Sequence, residues 1–328
     1  MTKIHWLIPY DNLTEESIVN ANLASIRMRL GAAILSSKQT NFDISFGQNI
    51  VDADFIIIGK IGATNNSLRE NLWLNQIEEQ KKLGKKVILD YTDDHLNFKS
   101  PMTSFYERSL PYIDFAIASS TFLADKLKIK TNLSVEIIPD AIEVPIFRPK
   151  IKVNDFTNIF WFGHASNINY LIEFINKWTN LRQKTTLFIL TNEQGLYIFN
   201  QTKFNIDKNL SIQLRLWSIE TMINTSEICD FIIIPSDPGD LKKQGVSSNR
   251  LITGLALGLP VAASVMSSYK EFSQYFTDID SEKFLELIDN PIKFHNQVYE
   301  AQDKVIPRFT KEVIGQKWII FLRKLNKE

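Results

Sequence analysis

Short, continuously apolar runs alternate with amphipathic stretches along the whole chain. In the first half the apolar runs are residues 3–9 (KIHWLIP), 53–59 (ADFIIIG), 85–91 (KKVILDY), 114–119 (DFAIAS) and 134–142 (SVEIIPDAI), and each predicts a strand. Between them, residues 15–36, 68–83, 104–110 and 119–128 carry apolar positions at helical spacing, the last opened by a capping Ser or Thr. Residues 143–156 (EVPIFRPKIKVNDF) hold two prolines and mixed charge and read as a linker. The alternation then restarts. Strands are predicted at 157–163, 185–191, 211–217, 230–236 and 259–264, and helices at 167–181, 219–229, 249–257, 268–276 and 281–287. The C-terminal stretch is helical again, with Trp318, Ile319, Ile320 and Leu322 as an apolar face.

Strands that are apolar throughout and separated by helices belong to parallel sheets covered on both faces. Right-handed crossovers make each half a doubly wound sheet. The expected fold is therefore α/β, with two Rossmann-like domains at residues 1–148 and 149–310 and a C-terminal helix at 311–328. Ligands bind such sheets beyond the carboxyl ends of the strands, and two of them facing one another enclose a cleft there.

The bulk numbers narrow the function. At the usual ~100–200 residues per domain, 328 residues suit two domains, and 44% hydrophobic residues suffice for two cores. The net charge is zero and no basic stripe appears, which argues against a nucleic-acid partner. The single cysteine, Cys229, sits in an apolar run and has neither a disulfide partner nor zinc spacing. The N-terminal apolar run is too short for a signal peptide, and no run approaches the ~18 apolar residues of a membrane span. The expectation is a cytoplasmic protein, with at most weak contact at the inner membrane face through residues such as Phe98, Lys99 and Phe105.

Four places hold candidate chemistry. The predicted strand 230–236 runs into a polar loop, and a helix opens at Ser247, Ser248 or Asn249, each a good N-cap. The open N–H groups of that helix, with Lys242, Lys243 and Arg250 beside them, form an anion site suited to phosphate; the plain alternative is a capped helix under a surface loop. The strand 157–163 ends in Gly163, where a close backbone approach or a positive φ is allowed, and His164 follows at the ligand edge of the sheet. DYTDDHLN places Asp90, Asp93, Asp94 and His95 at a strand's carboxyl end, where they would orient sugar hydroxyls or act as a base. Metal binding is the weaker reading of that cluster, because one histidine among acidic neighbours is also what a polar turn contains. Arg27 and Arg29 lie on the helix after the first strand, placed either to reach a phosphate or to snorkel.

Three stretches carry a family resemblance. NRLITGLALGLPVAAS resembles the helix–turn–strand of the donor domain of GT-B glycosyltransferases, particularly the large retaining family that includes sucrose and mannosyl transferases. TNIFWFGHASNINYLIEFI resembles that family's first C-domain strand and glycine turn, and EIIPDAIEVPIFRP resembles its passage into the interdomain linker, with Asp140-Ala141 where Asn-Gly is usual. The resemblance covers about two-thirds of the chain. It implies a GT-B fold with facing domains and a C-terminal helix crossing back to the N-terminal domain. It also implies donor contacts at Gly163, His164, Lys243, Ser247, Ser248, Asn249, Arg250 and Thr253. One departure stands out: the family's glutamate, three residues after the basic residue, is here Thr253. A threonine can share a hydrogen bond but cannot supply a charged bidentate acceptor to a ribose.

The expected function is glycosyl transfer from an activated phosphate or nucleotide donor to a glycan or lipid-linked acceptor, in the family's context a bacterial surface polysaccharide. Lys243 and Arg250 would neutralise the leaving phosphate, so no metal or other cofactor is expected. Asp93, Asp94 and His95 are the catalytic candidates, and Arg27 and Asp90 candidate acceptor or phosphate contacts. Alternatives are a phosphoribosyl diphosphate-using ribosyltransferase, a sugar-phosphate hydrolase or epimerase on the same scaffold, and a hinged binding protein without turnover.

Overall fold

The computed structural model describes residues 1–21, 23–62, 66–151, 156–179, 181–203 and 205–326. Part of the expected linker, residues 152–155, lies outside the described residues. The chain divides into two compact units. One is Met1–Ala141 with Gly245–Ser247 and Arg308–Glu328, and the other is Ile142–Gln244 with Ser248–Pro307.

The first unit is built from β1 (Thr2–Leu7), a π-helical turn Ile26–Leu30 running into α1 (Gly31–Ser37), β2 (Phe42–Gly47), β3 (Phe55–Ile58), α2 (Asn66–Lys82), β4 (Lys86–Tyr91), α3 (Thr103–Ser109), β5 (Phe115–Ala118), α4 (Thr121–Lys130) and β6 (Ser134–Ile137). The six strands are parallel in the order β2-β1-β3-β4-β5-β6. The apolar run Phe55–Ile58 sits mid-sheet because alternate residues feed two cores: Phe55 and Ile57 join one, Ile56 and Ile58 the other. The strand β2 is absent from the expectation. As an edge strand it buries only its two end residues, so its sequence, FDISFG, has no continuous apolar run.

The second unit contains β7 (Thr157–Phe162), α5 (Ile168–Lys177), β8 (Thr185–Thr191), α6 (Glu193–Gln201), β9 (Leu210–Leu216), α7 (Ile219–Ile228), β10 (Phe231–Ile234), α8 (Asn249–Ala256), β11 (Val261–Ala263), β12 (Thr277–Asp278), α9 (Glu282–Asp289) and α10 (His295–Lys304). Its sheet order is β12-β11-β10-β7-β8-β9, also parallel, so the strand order reverses between β7 and β10. The segment LALGLPV is a helix end: Gly258 takes φ +79° and its N–H reaches the Leu255 carbonyl at 3.1 Å, which turns the chain from α8 into β11. Residues 142–151 are tied to this unit, with Phe147 N–H on the Ala256 carbonyl at 2.8 Å and Gln302 Nε2 on the Phe147 carbonyl at 2.7 Å.

The last helix, α11 (Lys311–Leu325), returns to the first unit and packs along α1. Trp318 packs on Trp6 in a tilted arrangement, with centroids 4.6 Å apart, and its ring lies 5.3 Å from the Arg29 guanidinium. Arg29 is fully buried. Its Nε and Nη2 grip Asp90, with Nη2 to Oδ1 at 2.6 Å, and its Nη1 reaches Asp140 at 3.2 Å and the Ile138 carbonyl at 2.6 Å. One cation thus ties the turn after β1 to the ends of β4 and β6 under the C-terminal helix. Phe105 and Tyr106 are core residues, 0% and 1% exposed, so Phe105 does not serve a surface contact. Among the described residues no helix is long and apolar enough to cross a membrane. Removing one partner from a buried ion network leaves the others unpaired. Arg29→Met should therefore lower stability by about 3–5 kcal/mol in urea unfolding, with Asp90→Asn costing less because it leaves no bare carboxylate.

Candidate functional site

The reversal of strand order in the second sheet puts the ends of β7 and β10 side by side. Gly163 follows β7 directly, its N–H on the Leu190 carbonyl at 3.0 Å. It is a glycine for want of space: a Cβ there would lie 2.9 Å from the Trp161 ring and 3.4 Å from Arg250 Nη1. Its φ is outside the left-handed region, so close approach rather than a special turn is what the position requires. His164 opens a short 3-10 turn, and its Nδ1 accepts the Ser166 N–H at 3.2 Å, which leaves the ring proton on Nε2.

Arg250 enters from α8. Its guanidinium bonds the buried Tyr269, whose hydroxyl pKa is raised by burial. Its Nη1, beside the Gly163 backbone, is buried and has no hydrogen-bond partner among the described residues. A buried N–H donor without an acceptor costs roughly 1–3 kcal/mol, more when charged, and an anion bound there would supply the acceptor. Ser248 is the N-cap of α8 and its side chain makes no capping bond, while Asn249 is the first residue of the helix. Thr253 is buried, 4% exposed, on the same helix.

The loop between β10 and α8 supplies a second cation. Lys243 Nζ donates to Asn167 Oδ1 at 2.9 Å and lies 5.3 Å from the Tyr170 ring centroid. Tyr170 donates to Asp240 Oδ2 at 2.7 Å, and burial, then the Asp240 carboxylate, push its phenol pKa up, so it stays a donor. Gly163, His164, Lys243 and Arg250 thus occupy one strand-end region of this unit, although they are separated by up to 87 residues in sequence.

In the first unit the residues after β4 form a separate cluster. Asp94 Oδ1 accepts Tyr91 Oη at 2.9 Å and Asn97 Nδ2 at 2.7 Å, which locks the turn, and its Oδ2 is buried. His95 stacks on Tyr106 with centroids 4.8 Å apart, its Nδ1 lies 3.1 Å from Ser100 Oγ, and its buried Nε2 lies 3.9 Å from Asp93. Burial lowers the His95 pKa, with Lys60 adding to the shift and Asp93 and Asp94 opposing it. Asp93 is partly exposed and is paired with Lys60, which follows β3. Asp90 stands apart on Arg29. Arg27 is buried and donates to the Ala21 carbonyl, which places it inside the fold. Among the described residues no group of three or more His, Cys, Asp or Glu is arranged to hold a metal. Sequence reasoning passed over Lys60, Asn167, Tyr170, Asp240 and Tyr269, because each joins a site only through a contact distant in sequence.

No protein-family model matches the chain, and no curated protein matches it. Solved structures do. HepE (Alr3699) of Anabaena in complex with UDP-glucose aligns over 99% of this chain and 100% of its own, with TM-score 0.61 and 13% identity. An alpha-glucosyltransferase bound to UDP and a 13-mer DNA aligns over 97% and 98%, with TM-score 0.59 and 10% identity. The lipopolysaccharide outer core galactosyltransferase WaaB aligns over 98% and 100%, with TM-score 0.58 and 13% identity. At these identities the likeness establishes the fold: the chain has the GT-B fold, two Rossmann-like units of six parallel strands each.

The buried histidines predict a pH dependence. Burial lowers the pKa of His5, on β1, from 6.5 to about 4, and that of His95 in the same direction. Both are neutral in the folded protein, so their stabilising effect is complete above pH 6.5 and is lost as acid protonates the unfolded chain first. The melting temperature should fall between pH 7 and pH 4, by an amount corresponding to roughly 3 kcal/mol for His5, and His5→Asn should flatten that fall.

Proposed function

We propose that this protein transfers a glycosyl group from a phosphate-activated donor, with the donor's phosphates held in the second unit by Arg250 and Lys243. The observation that carries the reading is the buried, partnerless Nη1 of Arg250 against the backbone of Gly163. The GT-B fold, shared with structures that hold UDP or UDP-glucose, supports the same reading. In the reaction the bond from the anomeric carbon to the phosphate oxygen breaks, and a bond to an acceptor hydroxyl forms. The leaving phosphate gains charge in that step, and two fixed cations stabilise it without a metal. His164, Ser247, Ser248 and Asn249 complete the donor contacts.

Thr253 replaces a carboxylate that would have held a ribose. The phosphates therefore carry the larger share of binding, and a donor without a nucleoside, phosphoribosyl diphosphate, is the second reading. On the acceptor side, Asp94 is committed to its turn, which leaves Asp93 and His95 to take the acceptor proton if the configuration inverts. Zero net charge favours a glycan or lipid-linked acceptor over the DNA held by the alpha-glucosyltransferase.

The test is turnover. Incubation with UDP-glucose should release UDP, with water taking the glucosyl group where no glycan is supplied, and Arg250→Met should lower kcat/KM by about 10²-fold, as expected for removing a fixed transition-state cation. Release of the nucleotide by Arg250→Met at the wild-type rate, or no turnover of UDP-glucose, other nucleotide sugars or phosphoribosyl diphosphate, would contradict the proposal.

A further inference from the structure

The loop between β10 and α8 is fastened to the start of α5 by one side chain acting at both ends. The Tyr170 hydroxyl holds Asp240 Oδ2 at 2.7 Å, and its ring face supports the Lys243 ammonium at 5.3 Å. Asp240 is fully engaged, since its Oδ1 accepts the Lys242 N–H at 2.9 Å. Lys243 is anchored on the same side by Asn167 at 2.9 Å. Asn167 and Tyr170 flank the N-terminus of α5, a few residues after Gly163, so the strand end that contacts Arg250 also sets the position of the second cation.

We infer that Tyr170 is a positioning residue for diphosphate recognition: it holds the β10–α8 loop, and Lys243 with it, in the binding geometry before the donor arrives. The inference rests on the donor-site reading above and extends it to a residue that touches no donor. Its physical basis is preorganisation. A lysine on an unfastened loop loses backbone and side-chain freedom when it binds a phosphate, and a lysine already held on a ring and an amide oxygen loses less. A tyrosine can serve both points at once, because its hydroxyl is a strong donor to a carboxylate and its face attracts an ammonium.

The experiment is titration calorimetry of the full chain with inorganic pyrophosphate and with UDP. Y170F, which keeps the ring and loses the hydroxyl, should weaken both by about tenfold, a typical effect of one charge-assisted hydrogen bond. D240N should do the same, and the double variant should be no weaker than either single one, because the two changes remove one contact. In a K243M background, Y170F should have no further effect. The melting midpoint of unliganded Y170F reports whether folding is intact, and D240N provides the same test should Y170F fold poorly. Wild-type affinity in Y170F, additive losses in the double variant, or an undiminished effect of Y170F in K243M would each overturn the inference. Absence of pyrophosphate and UDP binding in the wild type would instead remove the donor-site reading beneath it.

Discussion

The proposed donor site depends on one interaction left open: a guanidinium nitrogen of Arg250 buried beside Gly163, with no acceptor for its hydrogens among the described residues. Proteins seldom leave such a donor unsatisfied, because the desolvation it suffers on folding is not recovered. Its neighbours are compatible with the proposed anion site. Gly163 has no side chain to block it, Tyr269 orients the rest of the guanidinium, and the loop carrying Lys243 is fastened nearby. The sheet topology explains the location: β7 and β10 are paired neighbours at the point where the strand order reverses, which is where sheets of this kind bind ligands beyond the carboxyl ends of their strands.

The first unit depends on another arginine in the opposite condition. Arg29 is as deeply buried as any side chain in the protein, yet it is bound by Asp90, Asp140 and a carbonyl, under Trp318. Two segments far apart in sequence, the end of β4 and the residues after β6, converge on it, together with the C-terminal helix. The comparison of the two arginines separates structure from function. Arg29 has acceptors on every side, whereas Arg250, partly exposed and bonded to Tyr269, has one buried nitrogen without an acceptor among the described residues, which is why the proposed donor site is placed there.

Much of the fold was legible in the sequence because buried parallel strands must be apolar on both faces. Phe55–Ile58 and Phe231–Ile234 have the same sequence, FIII, and the same role. The strands β2 and β12 were not legible, since an edge strand needs only a partial apolar pattern and a two-residue strand has none. The helix α6 was hidden by a glycine among polar residues in its first turn, which reads as a loop. At the candidate site, Gly163 and Arg250 could be read locally, from a strand-end glycine and a basic residue at a helix start. Tyr170 and Asp240 are 70 residues apart, and no local pattern announces their bond. Asp90 looked like a site residue because it ends a strand among other aspartates. Its partner, Arg29, lies 61 residues upstream, and only the structure shows that the pair is internal.

The most direct measurement of the central claim is a comparison of UDP and uridine binding to wild-type protein and to Arg250→Met. If Arg250 is a phosphate site, UDP should raise the wild-type melting temperature well above the effect of uridine, with ~2.7 kcal/mol of added stability at a hundred times Kd. Arg250→Met should lose that difference between the two ligands while keeping whatever response uridine gives. A variant that still distinguished UDP from uridine as the wild type does would contradict the account.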